Sequence, residues 1–282
     1  MTKYINKILF AVATTGLLFA GCTDRFEEFN KNPNGATNQD ITGDLIPTSL
    51  KIAQQNIYVY QPAWVTQLQQ NLLGDVYSGY MMPPTPFRGN NNNMTYDLVD
   101  GWNSWAFIPA YDNVMVPIST VEELTSKEQG KQDLYAMAKI IKVEAMHRVS
   151  DLYGPIIYTN YKKEEADGSI LYDTQEQAYN QFFADLKTAI DILTPIASNA
   201  SSGQFASSDL VYGGSYAKWL KFANTLRLRL AIRIAKVDPA KAKAEGEAAL
   251  ANAGGLITGN SENFLIDFGA TNHPLNVINN EW

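Results

Sequence analysis

The chain has 282 residues, of which 45% are hydrophobic and 18% charged, and its formal net charge is −7. A chain of this length can bury a sizeable core as one large domain or as two smaller ones. The acidic balance argues against a nucleic-acid partner, which would require clustered positive charge. One cysteine and two histidines exclude a disulfide framework and leave little basis for a zinc centre.

The first 21 residues have the pattern of an export signal. Two lysines precede an apolar stretch over 8–19, which is too short to span about 30 Å of hydrocarbon, since that needs roughly 20 residues. The only cysteine, Cys22, directly follows the small residues Ala20 and Gly21. This order resembles the lipobox of bacterial lipoproteins, in which cleavage before the cysteine exposes it for lipidation. The alternative is an incidental cysteine after an ordinary cleavage site.

These features predict three parts. Residues 1–21 form a lipoprotein signal peptide, residues 22–43 a lipidated N-terminus and polar tether, and residues 44–282 a helical domain. The lipid on Cys22 is the only covalent group expected, and no cofactor or metal ion is expected. Each buried acyl methylene contributes about 0.8 kcal/mol, so the lipid would hold even an acidic protein on a membrane.

Helical periodicity covers most of the chain after the tether. Apolar residues recur at helical spacing over 46–74, where Pro62 should interrupt the helix. A second helical pattern covers 102–126, with breaks expected at its two internal prolines. Between these segments, residues 75–101 show no period and are predicted to form a long loop, a kind of segment that is often functional.

Four further amphipathic helices are clearer. The second opens with a capping-box sequence at Thr174, and the fourth with Asp238 followed by proline. Strands are favoured only over 156–158 and 264–268. The sequence thus predicts a mainly α fold of antiparallel helix pairs, tetratricopeptide-like in architecture, with long loops and few short strands. The four helices are predicted over 131–153, 174–197, 215–237 and 239–253.

Several segments, taken together, resemble the SusD/RagB family of nutrient-binding outer-membrane lipoproteins. They are the lipobox ending at Cys22, the acidic-aromatic stretch 26–34 with its Asn-x-Asn-Pro, the Tyr-Gly helix end at 153–154, and the helix around 216–231. They follow one another in the family's order. The sequence WLKFANTLRLR, residues 219–229, is the most specific of them.

The resemblance implies a helical scaffold with a loop-rich ligand-binding portion, lipid-anchored at the cell surface in the outer membrane. It also implies that the protein captures an oligosaccharide or another nutrient and delivers it to a SusC-type TonB-dependent transporter. Members are usually much longer, so we expect this chain to cover the N-terminal part of the family's architecture and to be incomplete at its C-terminus. The helix pairs alone also permit a lipid-anchored scaffold that binds only proteins.

The segment 75–103 has the composition of a sugar site. Aromatic faces pack on sugar C–H surfaces, and a few polar groups fix the orientation of the hydroxyls. The alternative is that these aromatic residues cover the scaffold and that the asparagine run 90–93 is a disordered loop tip. The candidates, chosen by composition, are Tyr77, Tyr80, Phe87, Arg88, Asn91, Tyr96, Trp102 and Asn103.

No catalytic motif is present, and we expect no enzymatic activity. The sequence contains neither a Gly-x-Ser-x-Gly elbow nor a phosphate-binding Gly-x-x-x-x-Gly-Lys, and Ser215 after two glycines indicates a helix entry. Two carboxylates could still pair for glycoside hydrolysis. The candidates for such a pair, Glu144 and Asp151, are expected on solvated helix faces.

A few polar residues in the predicted helices have simpler structural explanations than ligand binding. Arg227, Arg229 and Arg233 are expected to pair with carboxylates between helices or to solvate one face. Asn224 is expected to be a buried hydrogen-bonding partner. His147 is expected to be a partly buried or capping histidine.

Overall fold

Six α-helices of ten or more residues form the scaffold of the described chain. The computed structural model describes residues 45–58, 64–82, 88–89, 91–97 and 99–267. The six helices are α1 (Leu45–Gln55), α2 (Val116–Thr125), α3 (Gln132–Tyr153), α4 (Gln175–Leu193), α5 (Tyr216–Arg233) and α6 (Pro239–Ala251).

Shorter helical pieces connect or extend these six. The α-helical ones are Trp64–Thr66, Asp75–Tyr77, Asp100–Asn103, Ile108–Ala110 and Gly203–Ser208. Two pieces are π-helical, Gln67–Gly74 and Tyr111–Met115. The 3₁₀ turns are Asn93–Thr95, Ser104–Ala106, Gln129–Lys131, Thr194–Ile196 and Asn260–Glu262.

Both predicted helix pairs are confirmed. Helix α3 packs along α4 and α5 packs along α6, while α4 also packs on α5. The direction is antiparallel, because Lys139 near the start of α3 meets Asp185 late in α4, and Asp151 at the end of α3 meets Tyr179 early in α4. Helix α2 joins the other side, packing on both α1 and α3. The mainly α architecture therefore follows the predicted pairing.

The helix starts have the predicted caps. Thr174 and Gln177 form a reciprocal capping box at α4, and the Asp238 carboxylate accepts from the Lys241 amide at the start of α6. Ser215 caps α5, which confirms the predicted helix entry. Helix α5 ends at Arg233, four residues before the predicted end, because the Ile234 carbonyl accepts the amides of the turn that leads into α6.

The two predicted strands are wrong in the described chain. Ile156 forms a single antiparallel bridge with Asp173, and 264–267 has no regular structure. The bridge cannot extend, because the Asp173 carboxylate accepts the amides of Tyr158 and Thr159, both at 2.8 Å. A side chain thus takes the donors that a neighbouring strand would need.

The predicted break points also need correction. Pro62 lies outside the described residues, and the helix that resumes at Trp64 runs on to Tyr77, three residues into the predicted loop. Pro109 and Pro117 do not break the later segment, which stays helical. Each proline lies in the first turn of an α-helical piece, where its missing N–H is tolerated, and a π-helical turn lies between them.

The core surrounds α3, of whose 22 residues 14 are buried. Large side chains from α4 and α5, above all Phe182 and the fully buried Trp219, complete it. Burial of such an aromatic side chain contributes about 2–3 kcal/mol from the hydrophobic effect. None of the described helices is both long and apolar enough to cross a membrane.

A buried carboxylate organises the connection into α5. Asp209 accepts hydrogen bonds from the amides of Val211, Tyr212 and Gly214 at 2.7–2.9 Å, and from the Trp219 indole at 3.0 Å. This one side chain therefore fixes the turn and the largest core residue together.

We expect Asp209→Ala to lower the free energy of unfolding by about 3 kcal/mol or more, because it leaves several buried donors unsatisfied. Urea denaturation followed by circular dichroism measures this loss. Asp167→Ala is the matched control, since Asp167 is exposed and bonds only within its own turn. Equal stability of the two variants would contradict the role given to Asp209.

Candidate functional site

Two exposed tyrosines face one another in the predicted ligand-binding segment. Tyr77 ends a helix and is 41% exposed, while Tyr96, 82% exposed, follows a 3₁₀ turn. Their ring centroids lie 5.7 Å apart at an angle of 33°. Tyr96 has a φ of +58°, a backbone conformation that costs energy for a residue other than glycine and is common at binding sites.

A second pair combines charge and an aromatic face. The Arg88 guanidinium lies 5.4 Å from the centre of the Trp102 ring, and Arg88 also has a positive φ, of +55°. Attraction between a cation and an indole face is worth about 0.5–1 kcal/mol at an exposed site. The arrangement presents a flat surface with hydrogen-bond donors beside it.

Buried asparagines hold this segment in place. Asn93 is 2% exposed; its side-chain amide donates to the Leu72 carbonyl at 2.7 Å, and its amide oxygen accepts from the Val99 backbone at 3.3 Å. The carbonyl of the equally buried Asn92 accepts the amides of Thr95 and Asp97. Asn92 and Asn93 are thus built into the scaffold, whereas Asn91 is exposed.

The structure brings four of the eight predicted ligand residues together, as the two pairs above. Tyr80 and Asn91 are exposed elsewhere on the same segment. The Asn103 carbonyl accepts from the Tyr153 hydroxyl, and its side-chain oxygen is buried without a partner in the described structure. Phe87 lies outside the described residues. A ligand role for each of these residues stays a prediction.

A cavity that sequence reasoning missed lies next to this segment, between the π-helical turn Gln67–Gly74 and α3. Its volume is about 190 Å³. Helices α3 and α5 and the π-helical turn all contribute residues to it. Such π-helical turns frequently mark functional sites. The lining residues are Gln70, Gly74, Ala106, Ala145, His147, Arg148, Val149, Asp151, Leu152 and Arg229.

The charged residues of α3 near this cavity are buried, which corrects the expectation of solvated carboxylates. Glu144 is 1% exposed and accepts a hydrogen bond of 2.5 Å from the Tyr58 hydroxyl. Burial and this carboxylate raise the pKa of Tyr58 well above its usual value. Asp151, partly buried, accepts from the Tyr179 hydroxyl and pairs with Arg233 at 3.1 Å. Both carboxylates are therefore engaged in structural contacts.

Arg148 ties this cluster to the end of α1. Its guanidinium lies 4.7 Å from the centre of the Tyr58 ring and donates to the Ile57 carbonyl. Ile57 follows the last residue of α1 by two positions, so this bond holds the chain just after that helix. Arg148 also lines the cavity.

His147 is more buried than predicted, at 1% exposure. Its Nδ1 lies 3.0 Å from the Val143 carbonyl, which only accepts, so Nδ1 carries the hydrogen. Burial lowers the pKa of His147, while Glu144 and Asp151 oppose that change. The neutral ring leaves Nε2 as an acceptor, and Nε2 is buried without a partner among the described residues.

The three arginines of α5 divide into two groups. Arg227 pairs with Glu245 and Arg233 with Asp151, which confirms the predicted pairing for both. Arg229 instead lines the cavity, and no carboxylate of the described chain lies within ion-pair distance of it. Asn224 is fully buried and bonds to Asn252 and the Gly255 carbonyl, as predicted.

A larger cleft of about 610 Å³ lies where α3, α4, α5 and α6 meet. Its polar side chains already bond to one another. Asp151 pairs with Arg233, Asp238 caps α6, and Lys241 donates to Asn180. Within the described chain, no group of three or more His, Cys, Asp or Glu side chains is arranged to hold a metal ion.

The buried histidine should make stability depend on pH. In the unfolded chain His147 titrates near its usual pKa of about 6.5, whereas in the folded protein its pKa is lower. Between these values the unfolded chain binds more protons, so the free energy of unfolding should fall as the pH drops below about 6.5. His147→Gln removes this dependence.

Thermal unfolding of both proteins, followed between about pH 8 and about pH 5.5, measures the effect. The variant should be less stable than the parent at the higher pH, and the difference in stability between the two proteins should shrink at the lower pH. Both proteins retain His273, so its titration cancels in the comparison. A stability difference that does not change with pH would contradict a neutral, buried His147.

The comparisons with known proteins agree with this fold. A family model described as "SusD-like: Susd and RagB outer membrane lipoprotein" matches residues 28–282. The chain belongs to this SusD-like family. A curated SusD-like protein from Bacteroides ovatus is 22% identical over 221 residues, which are 75% of this chain and 39% of the relative.

Two solved structures are similar over more than four fifths of the chain. A chitin-binding SusD homolog from Flavobacterium johnsoniae has 42% identity and a TM-score of 0.77, with 84% of this chain and 48% of the homolog covered. A SusD homolog from Bacteroides vulgatus has 34% identity and a TM-score of 0.74, with 83% and 48% covered. The chain thus spans about half the length of these solved relatives.

Proposed function

We propose that this chain forms the glycan-binding part of a lipid-anchored protein at the outer-membrane surface, and that it delivers its ligand to a SusC-type TonB-dependent transporter. The observation that carries the proposal is the presence of two aromatic pairs on one segment, the exposed Tyr77 with Tyr96 and the partly buried Trp102 with Arg88. Membership of the SusD-like family supports it.

The chemistry of these surfaces suits a sugar chain. Tyrosine and tryptophan offer apolar faces for sugar C–H groups together with a polar edge for hydroxyls. The buried asparagines Asn92 and Asn93 hold the segment in one conformation, so less ordering entropy is lost when a ligand binds. Because a solved relative with 42% identity is described as chitin-binding, chito-oligosaccharides are the first ligands to test.

We expect Tyr96→Ala and Trp102→Ala each to weaken chitohexaose binding about tenfold, which corresponds to about 1.4 kcal/mol. Isothermal titration calorimetry with the mature protein measures the affinity. The matched control is Tyr172→Ala, which removes an aromatic ring that is 54% exposed outside this segment. A scaffold that binds only proteins would show no oligosaccharide binding in the parent, and unchanged affinity in both variants would remove these surfaces from the site.

The lipid anchor has its own test at Cys22, which lies outside the described residues. We expect Cys22→Ser to abolish lipid attachment and to move the protein from the outer-membrane fraction to the soluble fraction. Metabolic labelling with a fatty acid, together with membrane fractionation, measures both changes. Thr23→Ala serves as the neighbouring control. An unlipidated variant that still fractionates fully with the outer membrane would contradict the anchor.

A further inference from the structure

We propose that the cavity beside His147 is a subsite for the acetamido group of an N-acetylated amino sugar. This inference rests on the proposed glycan-binding function and adds the group that the site selects. Three features of the cavity match an acetamido group: a buried acceptor, nearby donors and an apolar wall.

The acceptor is the Nε2 atom of His147. The Nδ1–H bond to the Val143 carbonyl leaves Nε2 with a lone pair, and this atom is buried without a partner among the described residues. A buried acceptor left without a partner is unfavourable, so a ligand that supplies an N–H to it recovers that cost. The acetamido N–H is such a donor.

The donors are arginine guanidinium groups on two helices. Arg229 of α5 lines the cavity without a carboxylate partner in the described structure, whereas its neighbours Arg227 and Arg233 are both paired. Arg148 of α3 lines it too, and one of its nitrogens is occupied by the Ile57 carbonyl. An acetamido carbonyl can accept from either arginine.

The apolar wall and the size fit the rest of the group. Four aliphatic side chains line the cavity and would contact the methyl: Ala106, Ala145, Val149 and Leu152. The cavity, of about 190 Å³, has room for a substituent of a few heavy atoms such as an acetamido group.

The cavity lies next to the aromatic pairs along the chain. Gly74 lines it and precedes Tyr77 by three residues, about 4.5 Å along the helix axis. On the other side, the Tyr153 hydroxyl donates to the carbonyl of Asn103, next to Trp102. We therefore expect a sugar chain lying on the aromatic faces to insert one substituent into the cavity.

A carboxylate suits this cavity less well than an amide does. A deprotonated carboxylate has no hydrogen to offer to His147 Nε2. The buried Glu144 carboxylate, whose Oε2 lies 3.9 Å from His147 Nδ1, would also repel a second negative charge nearby. The cavity therefore favours a neutral group that combines a donor with an acceptor.

The test compares chitohexaose with cellohexaose, in which hydroxyls replace the acetamido groups, using calorimetry on the full mature chain. We expect the parent to bind chitohexaose at least tenfold more tightly. Arg229→Gln and His147→Phe should bring this affinity ratio close to one, because each removes one partner of the acetamido group. Arg229 is exposed, so its variant remains informative should the buried substitution prevent folding.

The matched control is Lys236→Gln, which makes the same charge change at an exposed position outside the cavity and should keep the ratio. Equal binding of the two hexaoses by the parent, or an unchanged ratio in Arg229→Gln, would overturn the subsite while leaving the proposed glycan binding intact. Tighter binding of trigalacturonic acid than of chitotriose would overturn it in favour of an anion site. No binding of any oligosaccharide would overturn both proposals.

Discussion

The burial of α3 on nearly every side is the constraint from which most of the structure follows. A helix with 14 of its 22 residues buried leaves little solvent for its polar side chains, so each must find a protein partner. Lys139 forms ion pairs with Asp185 and Glu122. Glu144 accepts a hydrogen bond from the Tyr58 hydroxyl, and Arg148 donates to the Ile57 carbonyl just after α1. These bonds determine how α1, α2 and α4 lie around α3, while the Nε2 atom of His147, a residue that lines the cavity, is buried without a partner among the described residues.

Buried aspartates hold the connections between the helices by accepting hydrogen bonds. Asp133, Asp173 and Asp209 are each less than a tenth exposed. They accept hydrogen bonds from backbone amides or from the hydroxyls of residues such as Ser202. Asp173 and Asp209 bond the backbone amides of the connections they hold, and Asp133 ties the start of α3 to Ser202, so these connections are ordered almost without β-structure in the described chain. The asparagines at 92 and 93 extend the same principle to the aromatic segment.

Features that depend on neighbours in sequence could be predicted, and features that depend on neighbours in space could not. The capping box at Thr174 and the helix entry at Ser215 are local patterns, as is the apolar stripe that pairs α3 with α4. The burial of Glu144 depends on Tyr58, 86 residues away. The strand expected at 156–158 satisfied local propensity, but the Asp173 carboxylate takes its amides. Composition selected Tyr77 and Tyr96 as ligand candidates, a role that stays a prediction, while their exposure and their mutual packing are tertiary features.

The π-helical turn Gln67–Gly74 has a consequence for how this surface can diverge among relatives. A π turn accommodates a residue more than regular α-helical winding would, so losing a single residue there would restore an ordinary helix. Because the extra residue is taken up inside the turn, its loss would leave the residues downstream facing nearly the same way and would change which side chains line the turn itself. Tyr77 would then stay opposite Tyr96, whereas the cavity wall formed by Gln70 and Gly74 would change, so deletion of one codon would alter the cavity without disturbing α3.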